Sequence, residues 1–211
     1  MLLLKEKLKE KELILGTKSP RRHQLMRQLG IPFRIVIRSV KENGPDGMPG
    51  EELACYLSEL KSAAYAPELS DPKNIVLTAD TIVWLEGRSL NKPENPYEAA
   101  EMLARLSGKK HQVITGVTLA CGDSKKTFCS STDVWFKELS EAEINYYVNE
   151  FNPVDKAGAY GVQEWIGIIG IKRIEGSYYN VVGLPVQMVY EEFWNLAENI
   201  GKEKGMEPGH L

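Results

Sequence analysis

The sequence predicts an α/β protein with a mixed central sheet. Apolar strand patterns alternate with helical patterns along most of the chain, and two long strand patterns flank a hairpin-type turn. The chain has 211 residues, 43% of them hydrophobic, so it can bury a core in one domain or in two small lobes. It contains no internal repeat and no low-complexity segment.

Turn residues and helix caps separate these patterns and give their order. Apolar runs or strict alternation predict strands, and apolar residues at helical spacing after a cap predict helices. The predicted order is strand 12–16, helix 20–29, strand 33–37, loop 43–50, helix 51–66, strand 75–79 continuing as 82–85, helix from 96 to Gly108, strands 111–121 and 126–136, helix 140–147, loop 155–163 and helix 185–197.

Charge and cysteine content narrow the class of protein. A formal net charge of −3 argues against a surface that coats nucleic acid, although it allows a local basic pocket. The three cysteines have no metal-ligand spacing, so they indicate neither a disulfide framework nor a zinc site and favour a reducing, cytoplasmic location. The apolar start is too short for a signal sequence or a membrane span. We therefore expect a small-molecule partner, and neither nucleic acid nor a membrane.

Three segments describe the organisation of the chain. Residues 1–11 are expected to be an N-terminal extension, frayed or helical, that takes no part in the chemistry. Residues 12–200 are expected to form a single α/β domain with two lobes. Residues 201–211 are expected to be a polar, loose tail.

A helix start with two arginines follows the first strand pattern. Ser19 is a good N-cap and Pro20 suits the first helical position, so the helix begins at a defined residue. Free backbone N–H groups lie there, and Arg21 and Arg22 add planar donors that match phosphate oxygens. The pattern predicts an anion site. The alternative is an ordinary capped helix with two solvated arginines.

Asp80 is the strongest single candidate for a catalytic residue, because it interrupts an apolar strand pattern. A carboxylate buried there needs a metal ion, a cation or a hydrogen-bond network to compensate for its lost hydration. Mg²⁺ or Mn²⁺ bridging to substrate phosphates would supply that compensation, with Glu42 as a second metal ligand or water-orienting base. The alternatives are an aspartate that caps a turn at a strand end and a solvated Glu42.

Lys61 and Lys92 join the two arginines as a candidate cationic set, since each lies close to the end of an element. Phosphate chemistry depends on positive charges around the transferred group, although a lysine alone is more often a solvated surface charge. His111 has no cysteine or histidine near it in sequence and is expected to be a structural hydrogen-bonding residue. His23 and His210 are expected to be exposed.

Three common enzyme signatures are absent from the sequence. It contains no Walker A loop, no G-x-G-x-x-G and no G-x-S-x-G. P-loop nucleotide binding, dinucleotide binding and an α/β-hydrolase triad therefore lose support.

Taken together, the segments resemble the Maf family of nucleoside triphosphate pyrophosphatases over about residues 13–194. No single segment is specific, whereas their order and separations are. The matching segments are Thr17–Arg22, Glu42, Lys61, Ala79–Thr81, Asn91–Pro93, Leu106–Gly108, His111–Val117, Asp155–Gln163 and Gly176–Pro185.

The resemblance implies hydrolysis of a nucleoside triphosphate between its α and β phosphates, with a divalent cation, Mg²⁺ or Mn²⁺. Asp80 would accept a proton from the attacking water, and Glu42 would assist with the metal or the water. The other implied roles are phosphate binding by Arg22, Lys61 and Lys92, base selection by Arg21, Thr81 and Gln163, and further substrate contacts from Thr17 and Ser19. Both a general base and a metal ligand need a carboxylate at the same place, so the choice between these roles for Asp80 stays open.

The resemblance also bears on substrate and architecture. Residues 155–161 resemble the branch of the family that acts on dTTP and UTP, and the Gln163 amide offers the donor and acceptor needed to read a uracil or thymine edge. The implied fold is inosine triphosphatase-like, with an elongated mixed sheet flanked by helices and a cleft between two lobes. The resemblance implies a homodimer as well.

Two positions depart from the family pattern. Gly16-Thr17 replaces an alanine-serine pair, which keeps the hydroxyl but changes the fit beside the phosphates. Gln24 replaces a glutamate and removes a charge partner for the arginines. Neither change touches Asp80, so activity remains the expectation.

Two other interpretations remain besides the pyrophosphatase. A nucleotide-binding regulatory protein that acts in division control could keep the same pocket and lack turnover. An α/β binding domain for an unidentified ligand would require the ordered motif set to be a coincidence. Retention of Asp80, Glu42, Lys61 and Lys92 favours the enzyme.

Overall fold

The computed structural model describes residues 2–45 and 47–205. Helices and strands alternate through most of this range, with a run of antiparallel strands in the middle of the chain. The elements are α1 Leu2–Lys7, β1 Glu12–Leu15, α2 Pro20–Gln28, β2 Phe33–Ile35, α3 Gly50–Ala63, α4 Ala66–Leu69, β3 Asn74–Leu85, β4 Arg88–Leu90, α5 Pro96–Leu106, β5 Lys110–Cys121, β6 Ser124–Phe136, α6 Glu141–Phe151, 3₁₀ turns at Pro153–Asp155 and Ala157–Ala159, α7 Trp165–Gly170, β7 Ile171–Glu175, α8 Tyr178–Val182 and α9 Val186–Gly205.

The strands within the described residues form one seven-stranded mixed sheet. Its order is β2-β1-β3-β5-β6-β7, and β4 pairs with the far end of β3. β1 runs parallel to β2 and β3, whereas β3, β5, β6 and β7 pair antiparallel. The predicted mixed α/β fold is confirmed, including the long hairpin of β5 and β6.

Two hydrophobic cores share the long strand β3. Its first half contributes Ile75, Leu77 and Ala79 to a core that also contains residues of α1, α2 and α9. Its second half contributes Val83 and Leu85 to a core built with α5, α6 and α7. Because one strand enters both cores, the residues between its halves lie where the two cores meet.

Several predicted boundaries were wrong by a few residues. The strand predicted over 33–37 ends at Ile35, the helix predicted over 51–66 ends at Ala63, and β3 continues through the predicted break at 80–81. The helix predicted to end at Tyr147 continues to Phe151, and the second hairpin strand starts at Ser124. The last helix continues to Gly205, beyond its predicted end at Ala197.

Short elements escaped the sequence analysis because they offer too few residues to show a period. These are α4, β4, α7, β7 and α8. Asn95 caps α5 by accepting a hydrogen bond from the backbone of Glu98, and the Glu98 carboxylate accepts one from the backbone of Glu94.

The N-terminal extension takes the helical form that was one of its two expected states, as α1, whereas the tail is more ordered than predicted. Leu4 and Leu8 pack into the core that contains α9, with only 2% and 6% of their surface exposed. The tail predicted as loose is helical as far as Gly205, and residues 206–211 lie outside the described residues. Among the described helices, none is both long and apolar enough to cross a membrane.

Candidate active site

A gap in the sheet exposes the middle of β3. β1 pairs with β3 up to Leu77, and β4 begins to pair with the same edge only at Val83. Within residues 2–45 and 47–205, the edge between these positions has no strand partner, while the opposite edge stays paired with β5. Asp80 and Thr81 lie in this gap. The acid that interrupts the apolar strand is therefore a mid-strand residue at an opening in the sheet.

Helix α3 covers the face of β3 that carries Asp80. Residues alternate between the two faces of a strand, so Asp80 shares its face with Thr78 and Ile82. The Thr78 hydroxyl donates to a carbonyl in α3, and Ile82 packs against apolar residues of the same helix. This packing places the last turn of α3, with Lys61, above Asp80.

Lys61 joins the two predicted acidic residues. Its ammonium group forms a short ion pair with the Asp80 carboxylate and lies 3.1 Å from Oε2 of Glu42. The side chains of Lys61 and Asp80 are mostly buried, and that of Glu42 is half exposed. Burial weakens solvent screening, so the attraction between Lys61 and Asp80 is screened less than that of a surface ion pair.

Arg22 closes the open edge of β3 beside Asp80. Its Nη1 donates to the carbonyl of Ala79 at 2.8 Å, and its Nη2 donates to the hydroxyl of Thr81 at 2.8 Å. Nε donates to the carbonyl of Gly183 at 2.8 Å, and Nη1 also lies 3.3 Å from the Thr17 hydroxyl. Burial lowers the pKa of Arg22, while the charge of Asp80 raises it. The guanidinium group thus bonds both neighbours of Asp80 in sequence.

The helix start predicted at Ser19 is present. Ser19 Oγ accepts a hydrogen bond from the backbone of Arg22, and Pro20 occupies the first turn of α2. The Thr17 hydroxyl accepts from the backbone N–H of Ser19 at 3.1 Å, which fixes the turn before the helix. His23 was predicted to be exposed, but its ring is half-buried and bonds the carbonyl of Thr17 at 2.8 Å.

A buried lysine anchors the segment from 155 to 163. The Lys156 ammonium group lies 2.6 Å from Asp155 Oδ1 and 3.2 Å from Glu164 Oε1, and Lys156 is only 7% exposed. Burial opposes ionisation of Asp155, but the Lys156 hydrogen bond and charge outweigh it, so the pKa of Asp155 is lowered. Asp155 also faces Arg21, whose Nη1 lies 3.5 Å from its Oδ2.

The ten site residues that the sequence analysis proposed all line one cleft with a volume of about 460 Å³. The cleft lies where β3 opens, between the start of α2, the end of α3 and the segment that follows α6. The predicted residues in its lining are Thr17, Ser19, Arg21, Arg22, Glu42, Lys61, Asp80, Thr81, Lys92 and Gln163.

The cleft is basic although the chain is acidic. Three carboxylates face seven cationic side chains in its lining, whereas the whole chain carries a formal charge of −3. The cationic residues are Lys18, Arg21, Arg22, Arg38, Lys61, Lys92 and Lys156. Clefts lined by one sign of charge concentrate ligands of the opposite sign, so the geometry suits a polyanion.

The family model described as Maf-like protein matches residues 12–196, which is most of the chain. This chain belongs to the Maf family. The resemblance inferred from the ordered motifs is confirmed, and the Maf match spans both lobes and every residue of the candidate site.

Curated Maf relatives match over nearly the whole chain. A protein from Bacteroides thetaiotaomicron is 49% identical over 186 residues, covering 88% of this chain and 96% of its own. Proteins from Phocaeicola vulgatus and Porphyromonas gingivalis are 46% and 42% identical, covering 90% and 92% of this chain and 99% and 98% of their own. Each of the three is named dTTP/UTP pyrophosphatase.

Solved structures that match part of this chain include the Ham1 proteins of Staphylococcus aureus and Coxiella burnetii. The first is 17% identical with a TM-score of 0.44, and the match covers 60% of this chain and 72% of the other. The second is 10% identical with a TM-score of 0.41, covering 60% and 73%.

The carboxylates of Asp80 and Glu42 suit a hard divalent cation that is shared with substrate. Both contact the same ammonium group, so both can approach one cation. Among the described residues, no three His, Cys, Asp or Glu side chains form a metal-binding group. Magnesium commonly uses one or two carboxylates and completes its shell with phosphate and water, and this donor set fits that mode.

Two lining residues of this Maf site were missed as candidates in the sequence analysis. Lys156 is a lysine next to an acid in a Gly-rich segment, and only its burial between two carboxylates distinguishes it. Arg38 pairs with Glu68 at 2.5 Å, a contact that spans 30 residues and leaves no local pattern.

His111 lies below the cleft floor and serves structure, as predicted. Its Nε2 bonds the Tyr160 hydroxyl at 2.8 Å, and its ring packs edge-on against Phe136 and Tyr160. Burial lowers its pKa to about 4, so the ring is neutral at physiological pH.

Proposed function

We propose that this protein hydrolyses dTTP and UTP to the nucleoside monophosphate and pyrophosphate. The observation that carries the proposal is the convergence of Asp80, its cationic neighbours and Gln163 on one basic cleft in a Maf chain. Relatives 42–49% identical over most of the chain are named dTTP/UTP pyrophosphatase, which supports this choice of substrate.

Asp80 is proposed to receive the proton of the water that attacks the α-phosphorus. Its carboxylate lies at the opening of β3, where Lys61 holds one of its oxygens and substrate can approach. The water oxygen bonds to phosphorus, the bond to the bridging oxygen breaks, and pyrophosphate leaves. A positioned carboxylate base contributes about 10²–10⁴-fold to such a step.

The cationic residues are proposed to stabilise charge on the triphosphate. Phosphoryl chemistry depends mainly on positioning and on positive charge around the reacting oxygens. Lys61, Lys92 and the first turn of α2 surround the cleft and supply that charge. Asp80 and Glu42 would hold Mg²⁺ or Mn²⁺, which when bound neutralises phosphate charge.

Base selection is proposed for Arg21, Thr81 and Gln163. Gln163 is exposed on the cleft wall, so its amide is free to pair with a ligand edge. A uracil or thymine edge presents both acceptors and a donor, which an amide can match. We further propose a reducing, cytoplasmic location, which the three free cysteines favour, and a homodimer.

A substrate panel tests the proposed activity. Purified protein is incubated with dTTP, UTP, CTP, ATP and GTP, each with Mg²⁺, Mn²⁺ or EDTA, and pyrophosphate and monophosphate are quantified. We expect both products in equal amounts, fastest from dTTP and UTP, and none with EDTA. Binding of dTTP without pyrophosphate release would support a regulatory nucleotide-binding protein instead, and a preference for purines would overturn the substrate assignment.

A further inference from the structure

A buried network of hydrogen bonds and ion pairs lies behind the cleft wall that carries Gln163. One carboxylate oxygen of Glu164 accepts from Lys156 at 3.2 Å, and the other accepts a short hydrogen bond from the Tyr147 hydroxyl. Tyr147 is a fully buried residue of α6, and its oxygen also accepts from the backbone N–H of Gly161 at 3.1 Å. This network therefore fixes the backbone of Gly161, two residues before Gln163, and the side chain of Glu164, one residue after it.

Removing the polar groups of Lys156, Glu164 and Tyr147 from water costs free energy, so we expect this network to serve a purpose at the site. An ammonium group that is 93% shielded from solvent requires nearby carboxylates, and Lys156 has two. Burial raises the pKa of Tyr147, and its hydrogen bond to Glu164 raises it further, so the phenol stays a donor. Replacing such a network with apolar residues is often neutral for stability, so stability alone does not account for it.

The other end of this network reaches the first turn of α2. Asp155 accepts from Lys156 through one oxygen and faces Arg21 through the other, at 2.6 and 3.5 Å. Arg21 and Gln163, both proposed to select the base, are therefore connected through Lys156. Lys156 itself lines the cleft between them.

We propose that Lys156 is a positioning residue for base selection, acting with Glu164 and Tyr147 to set the distance between Arg21 and Gln163. This inference rests on the proposed function and deepens it. Loss of the ammonium group frees Asp155 and Glu164, so the segment shifts and the amide no longer meets a pyrimidine edge. Phosphate binding by Lys61, on α3, is left in place.

Variants of Lys156 test the proposal through the ratio of kcat/KM for dTTP to that for GTP. Lys156→Met keeps an unbranched apolar side chain and removes the ammonium group, and we expect the ratio to fall at least tenfold, mainly through a higher KM for dTTP. Tyr147→Phe is expected to shift the ratio in the same direction by a smaller factor. Lys156→Arg retains the charge and is expected to restore most of the ratio. Lys125→Met, which breaks an exposed ion pair with Glu59 far from the cleft, is the control.

A double variant separates positioning from a general structural effect. If Lys156 acts by positioning the side-chain amide of Gln163, the double variant Lys156→Met/Gln163→Ala has the same dTTP-to-GTP ratio as Gln163→Ala alone. Equal loss of kcat for every base, with the ratio unchanged, would overturn the proposal, as would additive effects in the double variant.

A binding measurement keeps the inference separate from the proposed function. Affinities for non-hydrolysable dTTP and dGTP analogues are measured by calorimetry for the wild type and the same variants. Absence of pyrophosphate release by the wild type contradicts the proposed function alone, because the affinity ratio still tests Lys156. An affinity ratio that Lys156→Met and Tyr147→Phe leave unchanged contradicts the inference.

Discussion

Arg22 is a buried arginine at the start of α2 that contacts the open edge of β3. Its place after an N-cap and a proline predicted a phosphate ligand, and the resemblance implied the same role. The structure adds hydrogen bonds to Thr17, Ala79, Thr81 and Gly183, the last of which lies 161 residues away in sequence and leaves no local signal. Arg22 therefore also holds the edge of β3 that presents Asp80.

A lysine at position 22 separates the effect of the branched guanidinium group from the effect of its charge. Arg22→Lys keeps one charge but cannot donate to Ala79, Thr81 and Gly183 together. Hydrogen bonds from a charged group contribute about 1.5–3 kcal/mol each, so we expect the free energy of unfolding in urea to fall by about 2–4 kcal/mol. Arg27→Lys, at an exposed position in the same helix, is the control. Equal stability of the two variants would contradict the positioning role.

Lys61 and Asp80 were each predicted from a local pattern, but their contact was not. Nineteen residues separate them, and only the packing of α3 across β3 brings them together. The same holds for Glu42, which the sequence places in a turn-rich loop and the structure places 3.1 Å from Lys61. Sequence motifs thus supplied the candidate residues, and the fold supplied their arrangement.

At the scale of elements, α3 lies unusually close to β5. A Cβ atom added to Gly116 would lie 2.1 Å from the carbonyl oxygen of Ala54 and 2.6 Å from the backbone nitrogen of Cys55. Both are backbone atoms, so relief requires the helix itself to move. The glycine in β5 therefore sets the height of α3 above the sheet, and with it the position of Lys61.

Gly116→Ala is expected to displace α3 and separate Lys61 from Asp80. Overpacking of this kind costs about 1–3 kcal/mol or more, and we expect a loss of at least about 2 kcal/mol in stability together with reduced turnover. Gly122→Ala, in the β5–β6 turn where a Cβ meets nothing, is expected to cost about 1 kcal/mol because of its positive φ and to leave turnover unchanged. Similar turnover in the two variants would show that α3 does not depend on this contact.

Long elements were predicted better than short ones, for a physical reason. β5 and β6 are 12 and 13 residues long, so both strands and their hairpin pairing were predicted, whereas β3 was predicted in two pieces because Asp80 and Thr81 interrupt its apolar pattern. β4 has three residues and forms only because β3 offers it an edge. The gap between β1 and β4 that creates the site follows from those two pairings, and no local pattern shows it.

At the scale of the whole molecule, the lobe with α5 and α6 is expected to be sensitive to acid because of His111. Folding holds its pKa at about 4, below the unfolded value of 6.5. Between these values the unfolded chain binds a proton that the folded protein does not, so stability is lost as pH falls from 6.5 towards 4.

The expected loss from His111 is about 2 kcal/mol between pH 7.5 and pH 5. Urea denaturation at the two pH values measures it in the wild type and in His111→Gln, which keeps a polar partner for Tyr160. The variant is expected to lack this pH dependence whatever its absolute stability. Folding lowers the pKa values of Glu59, Glu143 and Asp155, so these groups change stability mainly near and below about pH 4. They do not mask the change that His111 causes at higher pH. An identical dependence in both proteins would contradict the assignment.

The two lobes, the shared strand β3 and the gap in its edge together give one basic cleft with a carboxylate at its centre. Product analysis with dTTP and Mg²⁺ tests the role of Asp80 directly in the wild type and Asp80→Asn, with Asp123→Asn in the exposed hairpin turn as the control. We expect dTMP and pyrophosphate in equal amounts from the wild type and the control, and a rate at least about 10²-fold lower from Asp80→Asn. Formation of dTDP and phosphate would contradict cleavage between the α and β phosphates, and full activity of Asp80→Asn would contradict the role of this carboxylate.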